Sequence, residues 1–245
     1  MLFFNSERPP FDDLAVRRAF AQAIDRMEFT RLFYQRALAF VATSLLPPAL
    51  GRYSDGLTFS PELARRALAA RPTSVRRLRL LLVWGPRPYL PEPLRAAEWL
   101  REKLGALGFE IELIQPKTPA EFSRVVSSAE YEMVLSGWQL ETVDPGEFLG
   151  VTLSRSMIVE RGKERGNRTH NLGRLDSPEM EAALQTYQRE RTPAALDAAV
   201  RLVGSLVPVM PLMYGSTLLV HTAGVRGYRL SQEGYPLFAD VELKR

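Results

Sequence analysis

The sequence predicts an α/β fold in which a mixed, mostly parallel sheet is flanked by helices. Three observations carry this reading. Apolar runs of strand length alternate along the chain with stretches whose apolar residues recur at helical period. Four helix starts share one device, a hydroxyl residue followed by proline: Ser60-Pro61, Thr118-Pro119, Ser177-Pro178 and Thr192-Pro193. The chain is also 46% hydrophobic over 245 residues, enough to bury one large core or two modest ones. Strands that alternate with helices are the pattern of a sheet covered on both faces.

The first helix is predicted from Asp12. Val16, Ala19, Phe20, Ala23, Ile24 and Met27 fall on one stripe with Arg17, Arg18 and Gln22 opposite, and Asp12-Asp13 complements the positive end of the helix dipole. At the four Ser/Thr-Pro starts, the cap oxygen accepts an unpaired backbone N–H, and proline is tolerated where no N–H is needed. Thr118 and Glu121 have capping-box spacing. Helical stripes follow at Ala97, Leu100, Leu104 and Leu107, ending at Gly108, then at Met180, Ala183, Leu184 and Tyr187, then at Leu196, Ala199, Val200 and Val203. Strands are predicted at Leu78 to Val83, Phe109 to Ile114, Tyr131 to Ser136 and Met210 to Tyr214. Leu149 to Leu175 is aperiodic and polar around Arg161-Gly162-Lys163, and is expected to be a long surface loop. After Gly215 the chain is strand-like in pieces, at Leu218-Leu219-Val220 and Ala239 to Leu243.

Several classes of chemistry are excluded. There is no cysteine, so disulfides and thiolate metal sites are out. The formal charge of +4 is dominated by arginine, densest at Arg65, Arg66, Arg71, Arg76, Arg77 and Arg79, with no interleaved aromatics or nucleic-acid motif; a solvated helix end and loop accounts for it. His170 and His221 lack partner carboxylates at metal-ligand spacing and are expected to be lone surface or loop histidines. No P-loop, G-x-G-x-x-G or G-x-S-x-G motif occurs, so no cofactor is expected. Glu141 and Asp144 follow an apolar strand and lead into a Pro-Gly turn, and loop solvation and turn formation are favoured over catalysis for them. No run of about eighteen apolar residues spans a bilayer. Met1 to Arg8 carries no secretory-signal pattern, which leaves a cytoplasmic chain or one whose signal lies upstream.

Three stretches, taken together, resemble the family 5 extracellular solute-binding proteins. The first is Asn5-Ser6-Glu7-Arg8-Pro9-Pro10-Phe11-Asp12-Asp13 running into Val16-Arg17-Arg18-Ala19-Phe20 and Ala23-Ile24-Asp25-Arg26, with Ser44-Leu45-Leu46-Pro47-Pro48 after it. The second is Ser136-Gly137-Trp138 through Asp144-Pro145. The third is Asp176-Ser177-Pro178-Glu179, followed by Pro208 to Tyr214. The resemblance implies a periplasmic-binding-protein type II lobe, the distal one of two that close over a ligand. It places the lobe at 1–215 and makes 216–245 a tail that returns to the other lobe. It also implies a peptide or other small solute as ligand, an ABC permease as partner, and a periplasmic or extracellular, membrane-associated location.

On the same resemblance, the strand end at Gly137, Trp138 and Gln139 faces the ligand, Trp138 as pocket wall or packed aromatic, and Glu141 anchors the ligand's α-ammonium. No catalysis is expected. A rival reading is the ligand-sensing lobe of a cytoplasmic regulator. A hydrolase using Glu141 and Asp144 is a third. The tail's apolar residues, Leu218, Val220, Tyr235, Phe238 and Leu243 among them, are expected to pair with a second copy and so form a homodimer.

Overall fold

A computed structural model describes residues 1–34, 39–138, 144–163, 170–216, 218–231 and 234–244. Its centre is a five-stranded sheet in the order β4-β3-β5-β1-β6. The strands are β1 (Leu2–Phe4), β3 (Arg77–Leu82), β4 (Glu110–Ile114), β5 (Met133–Leu135) and β6 (Val209–Met210). β3 runs parallel to both β4 and β5, whereas β1 lies antiparallel between β5 and β6. The mixed α/β fold is as expected, but the parallel pairing fills only one side of the sheet. β1 supplies the other, and three continuous apolar residues give it no period by which to be recognised.

The pleat sorts the strand residues into two cores. Leu2, Phe4, Leu78, Leu80, Leu82, Met133 and Leu135 face one way, packed by α1 (Leu14–Gln22), α2 (Arg26–Phe33) and α4 (Pro93–Gly105). Phe3, Leu81, Val134 and Val209 face the other, under α5 (Pro119–Ser128), α6 (Pro145–Leu153), α7 (Pro178–Glu190) and α8 (Pro193–Leu206). The register pairs like with like: Leu2 sits opposite Leu135 and Phe3 opposite Val134.

The hydroxyl caps are all in place. Ser60 starts α3 (Pro61–Ala69), and Ser60, Thr118, Ser177 and Thr192 accept from the N–H groups of Leu63, Glu121, Met180 and Ala195. The Glu121 carboxylate reaches back to the N–H of Lys117, one residue before the cap. Two other helices also carry proline in their first turn: α4 behind Glu92, and α6 behind Asp144.

Four expectations are corrected. The first stripe is two helices, because Asp25 accepts from Met27 and Glu28 N–H and restarts the chain as α2; Met27 is exposed in consequence. The apolar run at Met210 to Tyr214 is two strands. Pro211 interrupts it, and β7 (Met213–Gly215) pairs with β2 (Ala39–Val41) in a separate ladder. Leu149 to Leu175 is no surface loop at its ends: α6 continues to Leu153, and Leu172 and Leu175 are buried. There Asn171 donates to the carbonyls of Leu153, Ser154 and Leu175, and Arg174 donates to Val159 O and to Glu7, so polar residues fold the segment inward. Arg77 and Arg79 lie on β3 rather than in a loop and pair with Glu110, Glu112 and Glu132.

The tail is built from short strands that pair with one another. β8 (Val225–Arg226) pairs with β11 (Glu242–Leu243), and β9 (Arg229–Leu230) with β10 (Pro236–Leu237). Among the described residues no helix is long and apolar enough to cross a membrane.

Candidate functional site

The parallel strands β3 and β5 end side by side, joined by the Val83 N–H to Leu135 O bond at 3.1 Å. The chain leaves them as Trp84-Gly85-Pro86-Arg87-Pro88-Tyr89 and as Ser136-Gly137-Trp138, so both segments open at one edge of the sheet. Arg87 and Leu90 exchange backbone hydrogen bonds, and the buried Leu90 ties this turn to the core. The Tyr34 hydroxyl, its pKa pushed up by burial, donates to the carbonyl of Tyr89. Tyr89 in turn lies over Gly137 so closely that a Cβ there would stand 2.3 Å from its ring. Only glycine admits this approach.

Trp138 is half-buried, and its ring meets the His170 ring edge-on at 4.1 Å. The Arg87 guanidinium lies 4.1 Å over the Trp84 ring, which itself packs on Phe122. No carboxylate among the described residues pairs with Arg87. These side chains divide the face into two adjoining depressions that share Tyr89, Gly137 and Trp138. One, of about 350 Å³, is lined by Trp84, Arg87 and His170. The other, of about 220 Å³, runs on to Phe148, Met213 and Tyr214. A cation, three large aromatics and an apolar recess make a binding surface.

Gly137 and Trp138 are thus brought together at the strand end. Gln139 and Glu141 lie outside the described residues. Asp144 is not a turn acid: it caps α6, accepting from Gly146 N–H at 2.9 Å and pairing with Arg191. Burial pushes its carboxyl up, but the bonds from Arg191 and the backbone prevail and hold it below the usual range. His170 is not a lone histidine, since it lines the site against Trp138, while His221 is exposed beside Thr222. No group of three or more His, Cys, Asp or Glu among the described residues could hold a metal ion. Sequence reasoning missed Trp84, Arg87 and Tyr89. The available signal was an arginine between two aromatics in a Gly/Pro-punctuated turn directly after an apolar strand.

Residues 1–157 match the family model described as bacterial extracellular solute-binding proteins, family 5 Middle. The chain belongs to this family. Among the family 5 relatives, it is 25% identical to the peptide transport periplasmic protein SapA of Salmonella typhimurium, over all of this chain and 44% of that protein. Two solved structures share its fold at 24% identity. One is HbpA2 from Haemophilus parasuis, with a TM-score of 0.83 over 100% of this chain and 48% of that one. The other is a dipeptide-binding protein from Pseudoalteromonas sp. SM9913 in complex with Met-Leu, at 0.80 over 99% and 48%. The chain spans less than half the length of these relatives, and the fold it shares with the two structures is the periplasmic-binding-protein type II fold.

Proposed function

We propose that this chain is the ligand-capturing lobe of the substrate-binding component of an ABC importer, holding peptides or similar small solutes without chemical change. The observation that carries it is the strand-end face itself, with Arg87 stacked on Trp84 beside Trp138 and Tyr89. A zwitterionic peptide needs a cation for its carboxylate, and Arg87 supplies one. On the family resemblance, Glu141 is the partner for the α-ammonium, with Gln139 beside it. Asp144 is spent on a helix cap, which counts against the hydrolase reading. SapA is a peptide transport periplasmic protein and the Pseudoalteromonas protein a dipeptide-binding protein, which favours import over the regulator reading and a periplasmic location over a cytoplasmic one. The ABC permease follows from that role. The lobe boundary at 215 is supported by tail strands that, among the described residues, pair with one another. Exposed apolar residues in the tail support its pairing with a second copy.

The test is native mass spectrometry of the natural protein for co-purified ligand, followed by calorimetry with dipeptides. Arg87→Ala is expected to weaken dipeptide binding by about 2 kcal/mol, the worth of a hydrogen bond to a charged group. Unchanged affinity would remove Arg87 from the site, and turnover of the peptide would restore the enzyme reading.

A further inference from the structure

The two depressions differ in chemistry. One carries Arg87 and His170. The lining of the other includes Leu45, Pro47, Phe148, Pro211, Met213 and Tyr214, and among the described residues it contains no Asp, Glu, Lys, Arg or His side chain. Of its two tyrosines, Tyr89 is shared with the first depression, and Tyr214 is occupied internally: its hydroxyl lies 2.6 Å from Ser44 O and 2.9 Å from Leu46 O, and accepts from Ser44 N–H at 3.0 Å. Leu45 and Phe148 are buried core residues, so the floor of the recess is fixed by packing rather than by mobile side chains. A polar side chain placed there loses water and finds no charged side chain among the described residues of the lining, whereas an apolar one gains by leaving water.

We propose that this recess is a side-chain subsite that selects ligands bearing an aliphatic or aromatic side chain, and that Met213 sets its polarity. The inference rests on the peptide-binding reading above. Sharing Tyr89, Gly137 and Trp138 with the arginine-bearing depression puts the recess beside the main ligand face, within reach of a side chain from the same molecule. Its volume of about 220 Å³ suits one side chain rather than a whole ligand. Met213 lies on β7, where its backbone pairs with Val41, so its side chain can be changed without removing a ladder hydrogen bond.

The experiment is calorimetry on the natural protein with leucyl-leucine, glutaminyl-glutamine and glutamyl-glutamate, in the wild type and in Met213→Lys. Leucine and glutamine are close in size, so their comparison isolates polarity. The expected result is at least about tenfold tighter binding of leucyl-leucine than of glutaminyl-glutamine in the wild type. In Met213→Lys that preference falls and glutamyl-glutamate gains about tenfold, as a buried cation finds its partner. Equal binding of leucyl-leucine and glutaminyl-glutamine by the wild type would overturn the subsite while leaving peptide capture standing. Binding of none of the three would overturn peptide capture itself. The wild-type comparison needs no variant to fold. A folded Met213→Lys protein with unchanged selectivity would remove Met213 from its role.

Discussion

Glu132 sits where β5 begins, and its carboxylate joins three parts of the chain. It accepts from Arg8 at 2.9 Å, from the Arg79 backbone N–H at 2.7 Å and from the Arg79 guanidinium at 3.0 Å. Burial pushes this carboxyl up, but the bonds from Arg79 and then Arg8 outweigh it and leave it below its usual 4.5. Because the folded value lies below the unfolded one, the stability it contributes is complete above about pH 4.5. It is lost as pH falls from there through the folded value. Glu132→Gln is therefore expected to cost about 2–3 kcal/mol at pH 7, and the gap from wild type should narrow below pH 4; urea unfolding at both pH values measures it. Gly137 makes a different demand, that of space. Gly137→Ala pushes Tyr89 off its seat, with an expected stability loss of about 1–3 kcal/mol and weaker ligand binding. Adding it to Tyr89→Ala should cost almost nothing more, because the clash is then gone; a double-mutant cycle in thermal unfolding shows whether this is so.

At the scale of elements, what was legible in the sequence was whatever local chemistry decides. A hydroxyl before a proline specifies a helix start through one bond between neighbours, and each of the four such starts is where the sequence placed it. β1 and the break at Asp25 depend on partners far along the chain or on a cap inside an unbroken stripe, and periodicity carries neither. Arg17 shows the same limit. On the helical wheel it belongs to the polar face, yet it is buried. Its guanidinium donates to Leu206 O at 2.8 Å and to Phe11 O at 2.6 Å, closing the C-terminus of α8 onto the start of the chain. A cation at a helix C-terminus answers both the unpaired carbonyls and the dipole. Arg17→Met keeps the stem and strands those carbonyls, with an expected cost of about 2–3 kcal/mol. Hydrogen exchange should then rise first in the last turn of α8. Equal protection there in both proteins would show that packing alone holds the helix end.

For the whole molecule, the sheet edge that gathers Trp84, Arg87 and Trp138 is a product of topology, which explains why the site was only half legible. Gly137 and Trp138 were recognisable because they lie in one family-like segment. Arg87 reaches them from a turn 50 residues away only because β3 and β5 are parallel neighbours that end together. The tail follows the opposite logic, since its described strands pair with each other and with none of the central sheet. That pairing satisfies backbone groups but leaves side chains uncovered: Val220 is 85% exposed, Leu243 76% and Phe238 68%. Association of two tails would bury this surface, each side chain contributing at about 25 cal/mol per Å² removed from water. The 245-residue chain on its own is therefore expected to self-associate as its concentration rises. Replacing Val220 and Phe238 together by serine should return it to a monomer with only a small loss of thermal stability, because neither side chain belongs to either core and the one ring contact removed is Phe238 stacked on Tyr228 at 5.4 Å. Sedimentation equilibrium distinguishes the outcomes. A parent chain that is monomeric at every concentration would show that the tail's apolar surface does not mediate pairing between copies.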